Sequence, residues 1–187
     1  MDAPIESFHE AQSLLHVLYW FYAYPLRAIG LSDLSDETEL SKSSVRTAVK
    51  RLETEGFVTI ETVGNVWRIS AQPSRTFFEE KIPYNLNLIY RSGIVETIAS
   101  HYPQARSIIL FGSHRLGEDT EESDIDIAVE LTGTAPVKTT MFGTVDRFGY
   151  RTNVPVQLTA FTRTIDTNLF NNISNGIVLK GFLEVQP

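Results

Sequence analysis

The sequence has 187 residues, of which 42% are hydrophobic and 21% are charged, a composition typical of a globular protein with one large core or two small ones. It contains no cysteine, which excludes disulfide bonds and thiolate metal sites, so any metal must be bound through oxygen or histidine. A formal net charge of −7 argues against a protein that coats nucleic acid indiscriminately, although a local basic face is still compatible with it.

The first apolar stretch, Leu14 to Leu31, contains polar residues and Pro25, and its uninterrupted apolar part is too short to cross a bilayer. Apolar residues recur every three or four positions from Phe8 to Tyr22, which predicts a helix that ends at Pro25. Its aromatic turn, Trp20 to Tyr22, belongs either to the core or to the interface of a homodimer. We expect no membrane segment and no export signal, and hence a cytoplasmic protein.

Two more helices are predicted after this one. The segment Leu31 to Leu40 predicts a short helix capped by Ser32. The segment Lys42 to Glu55 predicts a third helix, which Ser41 precedes and Gly56 closes.

The third helix is predicted to have one apolar face and one polar face. Spacings of three and four residues direct four apolar side chains inward: Val45, Ala48, Val49 and Leu52. The outward face carries hydroxyl groups and four cations without an anion, and its residues are Lys42, Ser43, Ser44, Arg46, Thr47, Lys50 and Arg51. Such a face can contact phosphates, or it can be merely solvated in a protein-interaction module.

Two β-prone runs, Phe57 to Val63 and Val66 to Ser70, meet at Gly64-Asn65 and predict a tight hairpin. Three helices followed by a hairpin form the order of a winged helix-turn-helix, and Leu31 to Ser70 resembles winged-helix transcriptional regulators. The resemblance implies that the third helix enters the major groove of double-stranded DNA while the hairpin touches the backbone, where Arg68 can add a contact.

A short polar break at residues 71–74 separates the two halves of the chain. Residues 75–81 predict a connecting helical turn before Pro83, and Tyr84 to Tyr90 is compatible with either strand or helix. We therefore predict a winged-helix domain at residues 1–72, a connecting segment at 73–91 and a second domain at 92–187.

The second half begins with a helix and a buried strand. Ser92 is expected to cap a helix that ends before Pro103, and Ser107 to Phe111 predicts the strand. Gly112 and Ser113 follow directly. Since glycine lacks a Cβ, the backbone can approach a triphosphate closely, while the next helix directs amides at the anion and Ser113 adds a hydroxyl donor.

The next strand carries two aspartates. Because side chains two residues apart lie on the same face of a strand, Asp124 and Asp126 project together while Ile125, Ile127 and Val129 enter the core. Adjacent carboxylates repel each other unless a divalent cation lies between them.

The string LFGSHRLGEDTEESDIDIAVE resembles the nucleotidyltransferase signature of the polymerase-beta-like superfamily, and the small domain is similar to the minimal nucleotidyltransferases. The resemblance covers roughly Ile94 to Gly181 and implies a short mixed sheet flanked by helices. It implies that Gly112 and Ser113 contact the phosphates of an NTP and that Asp124 and Asp126 are the catalytic ligands of Mg²⁺ or Mn²⁺. The two halves together predict an α+β protein.

Other polar residues near this signature are more ambiguous. Arg115 either contacts the nucleotide's phosphates or is solvated, and for His114 the solvated interpretation is favoured. The acidic residues that follow are expected to form a solvated loop, and they are Glu118, Asp119, Glu121 and Glu122.

Members of the superfamily generally supply a third carboxylate from a later strand. Here a predicted helix around Val137 to Phe148 is followed by the strand Val154 to Ala160, in which Gln157 stands at that position. A neutral amide can offer an oxygen to a cation but cannot act as a base. Asp146, in the predicted helix, and Asp166, before another one, are not well placed to replace it.

The sequence therefore predicts a site better suited to holding a nucleotide than to reacting it. Three functions follow: transfer of a nucleotide monophosphate to a hydroxyl acceptor, regulation of transcription by a nucleotide that is bound without turnover, and a toxin and antitoxin role with a helical partner protein. The last rests only on the resemblance to minimal nucleotidyltransferases.

Overall fold

The computed structural model describes residues 5–162 and 165–183, except for the side chains of residues 5–10. The chain divides into two compact units between Phe77 and Phe78, within the segment predicted as a connector. In the described part of the chain, no helix combines the length and apolarity that a bilayer crossing requires.

The first unit contains three helices and a small antiparallel sheet. Its elements are α1 (Ile5–Ala23), β1 (Ala28–Gly30), α2 (Leu31–Thr38), α3 (Lys42–Thr54), β2 (Val58–Val63) and β3 (Val66–Ala71). Strand β3 lies between β1 and β2. The predicted helices and hairpin are confirmed, whereas β1 was not predicted because three residues are too few to show a strand pattern.

The ends of α3 agree with the prediction, and the start of α2 does not. The Ser44 amide donates to Ser41 Oγ at 3.1 Å, and the Phe57 amide donates to the Leu52 carbonyl beyond the end of the helix at 2.9 Å. The predicted cap of α2 at Ser32 was wrong, because β1 runs directly into the helix and places Gly30 at the cap position.

The core of this unit contains the inward face of α3 and the aromatic turn of α1. All four predicted residues of α3 are buried, and they are Val45, Ala48, Val49 and Leu52. Trp20, Phe21 and Tyr22 are at most 2% exposed, so they form core and not a dimer interface. Tyr22 packs edge-to-face on Phe77, with 5.0 Å between ring centroids.

The second unit is a five-stranded mixed sheet flanked by helices, as predicted. Helix α4 (Arg75–Arg91) leads into it, and its other elements are α5 (Ile94–His101), β4 (Ser107–Phe111), α6 (Gly112–Leu116), β5 (Ile125–Glu130), β6 (Lys138–Phe148), β7 (Arg151–Phe161), α7 (Thr167–Ser174) and β8 (Ile177–Gly181). The strand order is β6-β7-β5-β4-β8, and only β5 and β7 are parallel.

Two predictions about the helices of this unit were wrong. Helix α4 does not stop before Pro83 but continues through it. Proline removes a single backbone hydrogen bond, and burial of Lys81, Asn85 and Ile89 on one face keeps the helix intact around it. The cap position of α5 is Gly93 rather than Ser92, although the Ser92 hydroxyl does accept a hydrogen bond from the Ile94 amide at 3.3 Å.

The predicted helix around Val137 to Phe148 is the edge strand β6. Its threonines favour an extended chain, and it pairs antiparallel with β7 across a register irregularity next to Gly143. Asp146 therefore lies on a strand and is exposed, not on a helix.

The sheet buries both of its faces. One face packs under α4 and α5 and includes Ile125, Ile127 and Val129, as the alternation predicted. The other face packs under α7 and includes Ile109, Ala128 and Phe161. Asp126 shares this second face with Ala128, because the two residues are two positions apart on β5.

Candidate functional site

Two carboxylates meet where β5 begins. Asp124 immediately precedes the strand and Asp126 is its second residue, so both side chains project from the same face. Burial, together with repulsion from Asp124, raises the pKa of Asp126 above its usual value. The site therefore concentrates negative charge in a partly desolvated place, which a divalent cation would neutralise.

Gly112 gives this corner its shape. It directly follows β4 and begins α6 with a φ of 69°, a conformation that favours glycine. Phe111 pairs with Asp126 across β4 and β5, and a Cβ at Gly112 would overlap the Asp126 carboxylate. The backbone of the glycine-serine corner is thus in direct contact with a candidate metal ligand, and Ser113 is the next residue of α6.

Gln157 lies beside Asp126 in the sheet. The two residues are register partners on the parallel strands β5 and β7, so their side chains project from the same face. Met141 of β6 is the next partner in the same row and is mostly exposed. In the nucleotidyltransferases that the sequence resembles, the corresponding strand generally carries a third carboxylate. Here the residue at that position is Gln157, whose side chain is a neutral amide.

No third acidic ligand replaces it in the part of the chain that the structure describes. Within those residues, no group of three or more histidine, cysteine, aspartate or glutamate side chains is arranged to hold a metal ion. Asp166 is instead the cap of α7 and accepts hydrogen bonds from the amides of Asn168 at 2.9 Å and Leu169 at 3.2 Å. Among the described residues, the two aspartates could therefore offer charged oxygens to a cation, and Gln157 could add a neutral one.

The predicted solvated loop contains one buried residue, Asp119, and that part of the prediction was wrong. Asp119 is 3% exposed, and its carboxylate accepts from Asn85 Nδ2 at 2.6 Å. Lys81 Nζ, which is fully buried, lies 3.0 Å from Asp119 Oδ2 and donates to the Asp119 carbonyl at 2.6 Å. Glu118 and Glu122 are exposed as expected.

His114 was expected on the surface and is completely buried. Its ring packs edge-to-face on Phe148, with 5.5 Å between centroids, and its Nε2 lies 3.6 Å from Asp119 Oδ2. Burial outweighs the attraction of Asp119 and lowers the pKa of His114 to about 4. A neutral, buried histidine cannot serve as a phosphate ligand, and Arg115, which is partly exposed on α6, keeps that candidate role.

Sequence reasoning missed Lys81, Asn85 and Arg151, whose side chains are all buried around this loop. Arg151 donates through Nη2 to the Ser123 carbonyl at 2.7 Å, one residue before Asp124. The four-residue spacing of Lys81 and Asn85 was a helical signal, but Pro83 between them was interpreted as a helix end.

The outward face of α3 has its predicted residues on the surface, arranged in two rows. Arg46 and Lys50 both lie over the ring of Trp67 on the hairpin, at 4.5 Å and 5.3 Å from its centroid. Lys42 is exposed one turn before Arg46. Trp67 was not among the predicted interface residues, although it lies in the hairpin sequence that identified the wing.

The second row of α3 borders α1. Ser43, Ser44, Thr47 and Arg51 line a pocket of about 230 Å³ together with residues of α1. Arg51 is engaged by Glu55 one turn later, with 2.8 Å between Nε and Oε1. On the hairpin, Arg68 lies 3.7 Å from Glu61 of the neighbouring strand. Because a carboxylate lies beside each of these two arginines, the row of Lys42, Arg46 and Lys50 is the better candidate for a phosphate-facing surface.

Comparison with known families agrees with both halves of the fold. Residues 94–181 match the family described as polymerase beta, nucleotidyltransferase, and residues 14–61 match the IclR helix-turn-helix domain. A search of curated proteins gave no match. The nucleotidyltransferase match contains Gly112, Ser113, Asp124, Asp126 and Gln157, whereas Lys81 and Asn85 lie before it.

Proposed function

Because the chain joins an IclR-type helix-turn-helix domain to a C-terminal polymerase-beta-type nucleotidyltransferase domain, we propose that it binds a nucleoside triphosphate with Mg²⁺ or Mn²⁺, and also double-stranded DNA. The nucleotide site is the corner formed by Gly112, Ser113, Asp124 and Asp126. The DNA surface is the exposed row of α3.

The contact between Gly112 and Asp126 carries the proposal for the nucleotide site. It places a carboxylate directly against a backbone turn that has no side chain, so a cation bound by that carboxylate could lie close to phosphates held at the turn. The raised pKa of Asp126 supports cation binding, because burial and the neighbouring Asp124 both penalise its charge when no cation is present.

When bound, the divalent metal would neutralise the triphosphate and the departing pyrophosphate during transfer to a hydroxyl. The residues of this chain supply binding and orientation. Asp124 and Asp126 would hold the cation, Ser113 would donate its hydroxyl to a phosphate oxygen, and Arg115 could approach the phosphates from α6.

Gln157 favours a second candidate, a regulator that binds nucleotide without turnover. Its amide lies in register with Asp126 but can neither accept a proton from the attacking hydroxyl nor add negative charge for a second metal. We therefore place nucleotide binding ahead of nucleotidyl transfer. In this version, occupancy of the pocket would change how the winged helix binds DNA.

The DNA half of the proposal rests on Lys42, Arg46 and Lys50, which form one row along an exposed helix face. Stacking over Trp67 limits the freedom of Arg46 and Lys50 without neutralising their charge, so both remain available to phosphates. Because the protein as a whole has a net charge of −7, its attraction to DNA phosphates is limited to this surface.

Calorimetric titration with Mn²⁺ and a nonhydrolysable triphosphate tests the nucleotide site. We expect saturable binding in the wild type, loss of binding in Asp124→Asn and in Asp126→Asn, and unchanged binding in Asp146→Asn, which removes an exposed charge in the same unit. Equal binding by all four proteins would refute the site.

Incubation with labelled NTPs, Mg²⁺ and hydroxyl acceptors then separates the two candidates. Incorporation that disappears in Asp124→Asn supports the transferase. Binding without incorporation supports the regulator.

A further inference from the structure

A buried polar cluster lies behind the loop that ends at Asp124. It consists of Lys81 and Asn85 on α4, Asp119 in the loop, and Arg151 at the start of β7, and we call it the Asp119 cluster. Each of its four side chains is at most 6% exposed. Buried charges are costly unless they are paired and hydrogen-bonded, and the proposed function does not itself use these residues.

The cluster holds the loop at two points. Near its start, Asp119 is fixed through its carboxylate and its carbonyl by Lys81, and through its carboxylate by Asn85. Near its end, the Ser123 carbonyl accepts from Arg151 at 2.7 Å, and the next residue is Asp124. The same arginine lies 4.0 Å from Asp119, which links the two anchors.

The cluster also contacts the Gly112-Ser113 turn, which forms the other side of the proposed nucleotide site. Asn85 donates a second hydrogen bond, at 3.1 Å, to the carbonyl of His114, which directly follows Ser113. At the end of α6, a Cβ at Gly117 would overlap the Phe78 carbonyl, so this turn packs directly on the backbone of α4. Helix α4 therefore contacts both the glycine-serine turn and the acidic loop.

We infer that Lys81 and Asn85 are positioning residues for the metal site: through Asp119 and the His114 carbonyl, they fix the distance between Asp124 and the Gly112-Ser113 turn. This inference rests on the proposed function. It assigns a role in cation binding to two residues of α4 that lie before the segment matched by the nucleotidyltransferase family. Loss of a group that hydrogen-bonds a metal ligand directly typically weakens metal affinity by about 10- to 100-fold, and because Lys81 and Asn85 act through the loop, we expect the lower end of that range.

The test compares Mn²⁺ affinity, measured from the electron paramagnetic resonance of the free ion, with fold integrity, measured by circular dichroism and thermal unfolding. Asn85→Ala removes the amide donors and leaves the Lys81 and Asp119 pair in place. The double variant Lys81→Met with Asp119→Asn removes both charges of the buried pair, so that neither is left without the other, although Arg151 also loses the Asp119 carboxylate. Glu118→Gln is the matched control, because it removes an exposed charge from the same loop.

We expect Asn85→Ala and the double variant to bind Mn²⁺ at least ~10-fold more weakly while they unfold cooperatively, and Glu118→Gln to bind as the wild type does. Folded variants whose Mn²⁺ affinity stays within twofold of the wild type would overturn the inference and leave the proposed function intact. A wild type that binds no Mn²⁺ would instead contradict the proposed function. If the double variant does not fold, Asn85→Ala alone decides the outcome.

Discussion

Replacing Gln157 with aspartate would place a third carboxylate beside the other two, and its consequences can be worked out from the sheet. Gln157 and Asp126 are register partners on adjacent strands, which are about 5 Å apart. Two unit charges at that separation repel by about 1 kcal/mol in water and about 3 kcal/mol at an effective dielectric constant of 20. Without metal, Gln157→Asp should therefore destabilise the second unit.

This destabilisation should be visible as a lower unfolding temperature in the presence of a chelator. A change of about 1 to 3 kcal/mol corresponds to a decrease of roughly 2 to 12 °C. Added Mn²⁺ should reverse it, because the cation converts repulsion into attraction. An additional 1.4 kcal/mol or so of attraction would make Mn²⁺ binding about tenfold tighter.

The assay is thermal unfolding with and without Mn²⁺, combined with Mn²⁺ affinity and incorporation of labelled NTP. Asn153→Asp is the matched control, since it also converts an amide to a carboxylate on β7 but at an exposed position. If nucleotidyl transfer is limited by the missing carboxylate, Gln157→Asp should also incorporate nucleotide faster than the wild type. If it behaves like Asn153→Asp in every measurement, Gln157 does not belong to the cation site.

The other predictions concern charged and titratable groups in both units. In a chelator at neutral pH, Asp126→Asn should unfold at a higher temperature than the wild type. Burial and Asp124 raise the pKa of Asp126, so the charged carboxylate destabilises the folded protein at any pH above the usual pKa of aspartate. The difference in unfolding temperature between Asp126→Asn and the wild type should therefore vanish as the pH falls below that pKa. Arg46→Ala and Lys50→Ala should each weaken duplex binding and reduce the slope of log affinity against log salt concentration by roughly 0.9. The control variant Lys138→Ala, which removes an exposed cation from the other unit, should change neither quantity. Unchanged slopes in Arg46→Ala and Lys50→Ala would refute the proposed DNA surface on α3. Burial lowers the pKa of His114 to about 4 in the folded protein, whereas in the unfolded chain it is about 6.5. As the pH falls below about 6.5, His114 therefore becomes protonated in the unfolded chain but not in the folded protein, and the folded protein should lose about 3 kcal/mol of stability by pH 4. Chemical denaturation across this pH range should show that His114→Gln lacks this part of the loss, and an identical pH dependence in both proteins would contradict the assignment.

The arrangement of the Gly112-Ser113 turn beside Asp124 and Asp126 was predictable because its signals are local. Alternation in the run from Asp124 to Val129 determines which side chains face the core, and the structure agrees. The position of Gln157 beside Asp126 agrees with the resemblance to nucleotidyltransferases, which indicated that the strand Val154 to Ala160 occupies the place of the strand with the third carboxylate. In the first unit, the regular spacing of apolar residues in α3 predicted its buried face correctly.

The environment of Asp119 was not predictable because its partners are distant in sequence. Lys81 and Asn85 lie 38 and 34 residues before it, and a run of acidic residues ordinarily indicates a solvated loop. The prediction that His114 is solvated was wrong for the same reason, because its burial depends on Phe148, which is distant in sequence and lies on β6. Strand β6 was itself predicted to be a helix, so the residue that covers His114 was assigned to the wrong kind of element.

The most direct test of the account is crystallography with Mn²⁺ and a nonhydrolysable triphosphate, using the anomalous scattering of manganese to locate the ion. We expect a manganese peak bound by carboxylate oxygens of both Asp124 and Asp126, with the triphosphate against the backbone of Gly112 and Ser113. A structure at saturating concentrations with no peak there, and with the two carboxylates directed apart into solvent, would contradict the account.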